Sequence, residues 1–301
     1  MLAFGSGRSG KAPIPQGDFQ TLTIPIKRAQ NLLLIEARIN GMQGNFILDT
    51  GAPTLVLNKT YFRNGKLADG ATAAGITGAG EQVYHIAVDS LVIEDLFYSD
   101  LDADLVNLGH IEDAKGVKIL GLLGANLFAE LEMQIDLQND VLILSRLNGN
   151  GAPQGASTSS ATSHPDLTMP FDLVGNIIFM DGSVGEKKLR FCLDTGAETN
   201  VLSNSVGNKV LQQFSLTSRA DLGGSSSRNL NVLSGQLNTL TVGNHTFKNV
   251  PVILADLSGL QEVYNTSING ILGYNFLSKG RVIINFKKRE LTMYFYQEEG
   301  Q

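Results

Sequence analysis

Phe46-Ile-Leu-Asp49-Thr50-Gly51-Ala52 recurs as Phe191-Cys-Leu-Asp194-Thr195-Gly196-Ala197, 145 residues further on. In both stretches an apolar run ends on Asp-Thr-Gly and further apolar residues follow. A carboxylate placed beside buried strands is costly unless it is hydrogen-bonded or shared, so a purely structural Asp is poorly motivated here. The Gly allows close backbone approach, and the Thr hydroxyl can donate and accept where two chains meet. One Asp-Thr-Gly alone is weak, arising by chance in roughly one protein of this length in twenty.

Working outward, residues 22–57 lie over residues 167–202 without a gap, with 13 of 36 pairs identical, where unrelated segments would share about two. A second block repeats at an offset of 149, Gly121-Leu-Leu-Gly124-Ala-Asn126 over Gly270-Ile-Leu-Gly273-Tyr-Asn275. The chain is therefore a duplicated domain. The spacing predicts a disordered stub over residues 1–19, a first lobe over 20–147, a flexible linker over 148–165 rich in Gly, Ser and Thr, and a second lobe over 166–301.

Within each copy the runs are short and rich in Leu, Ile, Val and Phe, as at Leu32–Arg38, Val83–Val92, Ile177–Ser183 and Gln236–Val242. These read as strands. Helix is expected only as one short piece per copy, after Gly124 and after Gly273, and Asp100–Lys118 reads as a solvated acidic loop. Glycine at 33 of 301 residues and only 17% charged residues agree with an all-β chain.

The composition also excludes. A net charge of −6 disfavours nucleic-acid binding, which needs a basic surface. One cysteine, Cys192, precludes an internal disulfide and reads as a buried small apolar residue. The four histidines show no metal-ligand spacing. No metal or cofactor is expected. Asp100-Leu-Asp102-Ala-Asp104 lacks the Gly and the bidentate acid of a calcium loop, and the glycine-rich start lacks the Ser or Thr of a phosphate loop. No Gly-x-Ser-x-Gly elbow occurs. No apolar stretch approaches the roughly 18 residues of a membrane-spanning helix, and Met1–Lys11 has no basic lead. The compartment is extracytoplasmic if that stub is the remnant of an export signal, and cytoplasmic otherwise.

The paired Asp-Thr-Gly-Ala motifs, with Leu122-Leu123-Gly124 and Ile271-Leu272-Gly273 some seventy residues after them, resemble the aspartic proteases. The resemblance is to the retroviral-type (retropepsin-like) branch and its bacterial relatives. It spans about residues 20–146 and 166–296, and implies a bilobal acid-protease fold: two β-barrel lobes related by a pseudo-twofold axis, with the cleft between them. It implies Asp49 and Asp194 as the catalytic pair, with Thr50, Gly51, Ala52, Thr195, Gly196 and Ala197 shaping their loops. Leu123, Gly124, Leu272 and Gly273 would thread behind those loops. Gly75, Gly78, Gly80, Tyr84, Gly223 and Gly224 would belong to flaps over the cleft. The substrate would be an extended peptide or protein segment, cleaved by a monomer whose lobes pair intramolecularly. A catalytically silent peptide-binding or dimerisation module is the alternative. Pepsins usually carry Ser or Thr after Asp-Thr-Gly. Ala52 and Ala197 offer no hydroxyl to a carboxylate, which implies an optimum nearer neutrality.

Overall fold

Short apolar runs broken by turns pair into three sheets among the described residues. The computed structural model describes residues 2–4, 12–75, 78–154, 164–222 and 230–297. A nine-stranded sheet belongs to the first lobe and an eight-stranded sheet to the second, each curling back on itself through an additional pairing. In the first, Arg38 meets Val92 and Ile39 meets Leu91; in the second, Gly182 meets Val242. The chain is all-β and bilobal.

A six-stranded sheet joins the lobes. Its centre is Leu131–Asp136 antiparallel to Gly280–Asn285, with Met133 opposite Ile284 and Ile135 opposite Val282. All four of these side chains are fully buried. Each such burial is worth about 1.5–3 kcal/mol, so this seam is a large part of what holds the lobes together.

Inside each lobe one strand threads behind the Asp-Thr-Gly loop. Ile119–Gly124 runs parallel to Met42–Asp49, with Gly124 beside Asp49, and antiparallel to Val56–Asn58. Gly270–Leu272 does the same between Lys187–Leu193 and Val201–Ser203. These strands are buried on both faces and their sequences are accordingly apolar throughout.

Several expectations need correction. Ala125–Phe128 and Tyr274–Leu277 are helical turns in the expected places, but Gly109–Lys115, Asn208–Leu211 and Ser258–Tyr264 are helices as well. They are too short to display a 3.6-residue pattern. Two of them end on left-handed residues, Gly116 at φ 63° and Asn265 at φ 46°. The acidic stretch is not a solvated loop. Leu96–Val106 is a strand whose Leu101, Ala103 and Leu105 are buried, with Asp100 and Asp102 facing out.

The stub over residues 1–19 is also corrected in part. Arg146 donates hydrogen bonds to the carbonyls of Pro15, Gly17 and Phe19 at 3.1, 2.9 and 2.9 Å, and its guanidinium lies over the Phe19 ring. Leu2–Phe4 pairs antiparallel with Lys66–Gly75. The anchoring arginine lies more than 120 residues from its partners, so nothing local announces this order. Of the expected linker, 148–154 forms a hydrogen-bonded turn in which Gln154 N–H donates to Arg146 at 2.7 Å. Residues 155–163 lie outside the described residues. Among those described, no helix is long and apolar enough to cross a membrane.

Candidate active site

Both Asp-Thr-Gly loops meet at the boundary between the lobes, each at the end of a core strand. Leu48 and Leu193, immediately before the acids, are fully buried and hold the strands in register. The loops are bound by a reciprocal exchange. Thr50 N–H donates to Thr195 Oγ1 at 2.9 Å, and Thr195 N–H donates to Thr50 Oγ1 at 3.0 Å. Each hydroxyl then donates onward, Thr50 to the Leu193 carbonyl at 2.9 Å and Thr195 to the Leu48 carbonyl at 2.8 Å. All of these groups are buried and all are satisfied, the condition under which a polar network rigidifies its site.

This exchange brings Asp49 and Asp194 together. Asp49 Oδ1 accepts from Gly51 N–H and Asp194 Oδ1 from Gly196 N–H, both at 2.8 Å. Asp49 is 4% exposed and Asp194 0%. Burial, and next the neighbouring Asp194 carboxylate, raise the pKa of Asp49 to about 8. Two like charges in one buried site cannot both ionise cheaply, which favours the protonated form of Asp49. Ala52 is fully buried and Ala197 nearly so, and neither side chain offers a hydroxyl to the acids.

The loops are backed as tightly as they are joined. A Cβ on Gly124 would fall 1.9 Å from the Thr54 carbonyl oxygen, and one on Gly273 would fall 2.5 Å from that of Ala197. Ala125 N–H donates to the Ala52 carbonyl and Tyr274 N–H to that of Ala197, at 2.9 and 2.8 Å. Leu123 and Leu272 are buried in the core behind the loops. Cys192 is fully buried, and burial pushes its thiol pKa well up, which leaves it no nucleophilic role.

Of the glycines expected on flaps, Gly75, Gly78 and Gly80 fall on a hairpin. Lys66–Gly75 and Gly78–Ile93 form this first hairpin, with Gly75 paired to Gly78 at its tip and Gly80 at a register shift. The strand Lys66–Gly75 touches the Ser258–Tyr264 helix of the other lobe, so the hairpin crosses the boundary between them. Tyr84 sits towards the base, opposite Leu67, with Lys59 Nζ 4.1 Å from its ring centroid. The tip is therefore out of its reach. Phe214–Leu222 and Leu230–Val242 form the second hairpin; Gly223 and Gly224 lie outside the described residues.

Sequence reasoning missed the residues that hold the loops from the side. In the second lobe Asn275 Oδ1 accepts from Thr199 Oγ1 at 2.7 Å, and Asn200 Oδ1 accepts from Gly273 N–H at 2.9 Å. The identity of Asn126 and Asn275 within the second repeat block was the available signal. In the first lobe Thr54 instead meets Asp104, which no repeat marks.

The structure carries no metal-holding group of His, Cys, Asp and Glu among the described residues. A protein-family model described as aspartyl protease matches the chain twice, over residues 35–127 and 180–276. No curated protein matches it.

Proposed function

Because the chain belongs to the aspartyl protease family and carries its domain in tandem, we propose that it is an aspartic endopeptidase acting through Asp49 and Asp194. The observation that carries this reading is the shared burial of the two carboxylates, each held by a glycine N–H and by the cross-linked threonines.

The ionised member of the pair takes a proton from a water held between the acids, and that water attacks the peptide carbonyl. The protonated member donates a hydrogen bond to the carbonyl oxygen as negative charge develops there. A dyad that keeps one proton is prepared for both tasks at once. The tetrahedral intermediate then collapses: the C–N bond breaks as the acid that took the water's proton delivers it to the leaving amine, with no covalent enzyme intermediate.

The substrate is an extended segment, recognised through its backbone. The outer edge of Lys66–Gly75 already accepts such a strand, since Leu2, Ala3 and Phe4 pair there with Gly75, Ala74 and Ala73. Main-chain addition of this kind supplies affinity while side-chain pockets supply selection. One chain supplies both acids, so the active unit is a monomer. Interlobe contacts support this: Lys115 pairs with Glu198 at 2.6 Å, Asn31 donates to the Glu198 carbonyl at 3.1 Å, and Arg28 donates to Tyr274 at 2.9 Å.

A peptide-library cleavage assay tests the proposal, run on wild type, Asp49→Asn and Asp194→Asn, with and without pepstatin. Cleavage by wild type alone, blocked by pepstatin, is the expected result. Cleavage that survives either substitution refutes the dyad, and none by wild type at any pH favours a peptide-binding module.

A further inference from the structure

Asp104 is buried, titratable and unused by the hydrolytic mechanism. Its strand, Leu96–Val106, runs between Val56–Asn58 and Gly78–Ile93, and Asp104 pairs with Val56 on one side and His85 on the other. The side chain repeats that bridge. Its Oδ2 accepts from Thr54 Oγ1 at 2.8 Å, and its Oδ1 lies 2.7 Å from His85 Nδ1. Thr54 lies on the loop that carries Asp49. His85 lies on the strand that returns from the tip of the first hairpin. The Asp104 N–H also donates to the Leu55 carbonyl at 3.0 Å.

The second lobe shows what the fold does without this carboxylate. There Ile253 occupies the equivalent position, paired with Val201 and Ser234. The second threonine, Thr199, turns to Asn275 instead. In the first lobe the corresponding amide oxygen, Asn126 Oδ1, is buried and accepts no hydrogen bond among the described residues. An orphaned buried acceptor is a cost. The first lobe bears that cost while its threonine donates instead to the Asp104 carboxyl oxygen.

We infer that Asp104 is a positioning residue whose single carboxylate couples the Asp49 loop, through Thr54, to the first hairpin, through His85. The second lobe has no such coupling at Ile253 and Ser234. The inference rests on the dyad reading for its kinetic consequence, but the coupling itself is measurable without catalysis.

The test uses Asp104→Ile, which installs the second lobe's own residue and keeps the strand apolar and β-branched. Its partner is Asp104→Asn, whose carbonyl can still accept from Thr54 while its amide faces His85. Asp104→Ile should lower kcat roughly 10- to 100-fold, and Asp104→Asn should stay within about threefold of wild type, since small displacements of reacting groups cost that much. Amide hydrogen exchange should accelerate in residues 49–58 and 66–93 of Asp104→Ile, with 214–222 and 230–242 unchanged. Thr54→Val should reproduce the loss in kcat, and His85→Phe should act mainly on KM. Unchanged exchange in Asp104→Ile, or equal acceleration in both hairpins, overturns the inference. Selective exchange in a protein that cleaves nothing would uphold the coupling and sink the dyad.

Discussion

Gly51 stands against Asp194 so closely that a Cβ there would lie 2.6 Å from both carboxylate oxygens, and Gly196 faces Asp49 with 2.8 and 2.9 Å. Each acid is thus packed on the glycine of the opposite loop. The close approach of the dyad depends on the absence of two methyl groups. Gly51→Ala and Gly196→Ala should each abolish cleavage and cost about 1–3 kcal/mol of stability, the usual range for overpacking a tight site. Urea titration alongside the cleavage assay checks this, and a fully active Gly51→Ala would refute it.

The raised pKa of Asp49 carries a sign for stability. A group that binds its proton more tightly when folded stabilises the fold while both states are protonated. That stabilisation is lost as pH rises from the ordinary carboxylate range through about 8. Asp49→Asn removes the burden of burying that charge. Its melting temperature should therefore fall less than that of wild type between pH 4 and pH 8, with the difference growing steadily. Thermal melts of both proteins across this range decide the matter, and parallel curves would contradict it.

Activity should follow the same titration. With Asp49 keeping its proton up to about pH 8, cleavage should persist at neutral pH and decline on the alkaline side of that value. Ala52→Ser with Ala197→Ser adds hydroxyl donors to the ionised form and should move the profile towards acid. A pH–rate profile of wild type that peaks far into acid would exclude this account.

The threonine exchange can be measured directly. Thr50→Val strands the Thr195 N–H and the Leu193 carbonyl, at about 1–3 kcal/mol for each buried group left without a partner. Thr50→Ser keeps the hydroxyl and should recover most of the loss. Denaturant midpoints for the two variants provide the comparison.

Arg146 should matter to the first lobe's edge although it lies far from the acids. Arg146→Ala releases the carbonyls of Pro15, Gly17 and Phe19 together. Proteolytic nicking before residue 20 should accelerate, while kcat of the remaining chain stays near that of wild type.

Much of the site was legible because the chain states it twice. Asp49, Asp194 and their glycines stood out through identity at a fixed offset, and the apolar segments ending at Gly124 and Gly273 stood out the same way. The family resemblance placed Gly75, Gly78, Gly80 and Tyr84 on one flap, and all four lie on the first hairpin, Tyr84 nearer its base by a distance that strand length and register shifts decide. Asp104 was read as part of an acidic loop. Its burial follows from lying between two strands, one of them contributed by residues almost fifty positions earlier. Thr54 and Thr199 are identical in sequence, yet they take different partners because Ile253 replaces Asp104 in the second lobe.

The sequence by itself determined a duplicated β chain, the two strands that end on its acids, and the symmetry by which they must meet. Periodicity and repetition are local properties, and they survive in a one-dimensional text. Only the tertiary structure decided that the two carboxylates are desolvated together, that glycine faces acid across the lobes, and that one lobe ties its loop to a hairpin. Desolvation and charge coupling depend on what surrounds a group from every side, and most of those neighbours come from distant parts of the chain.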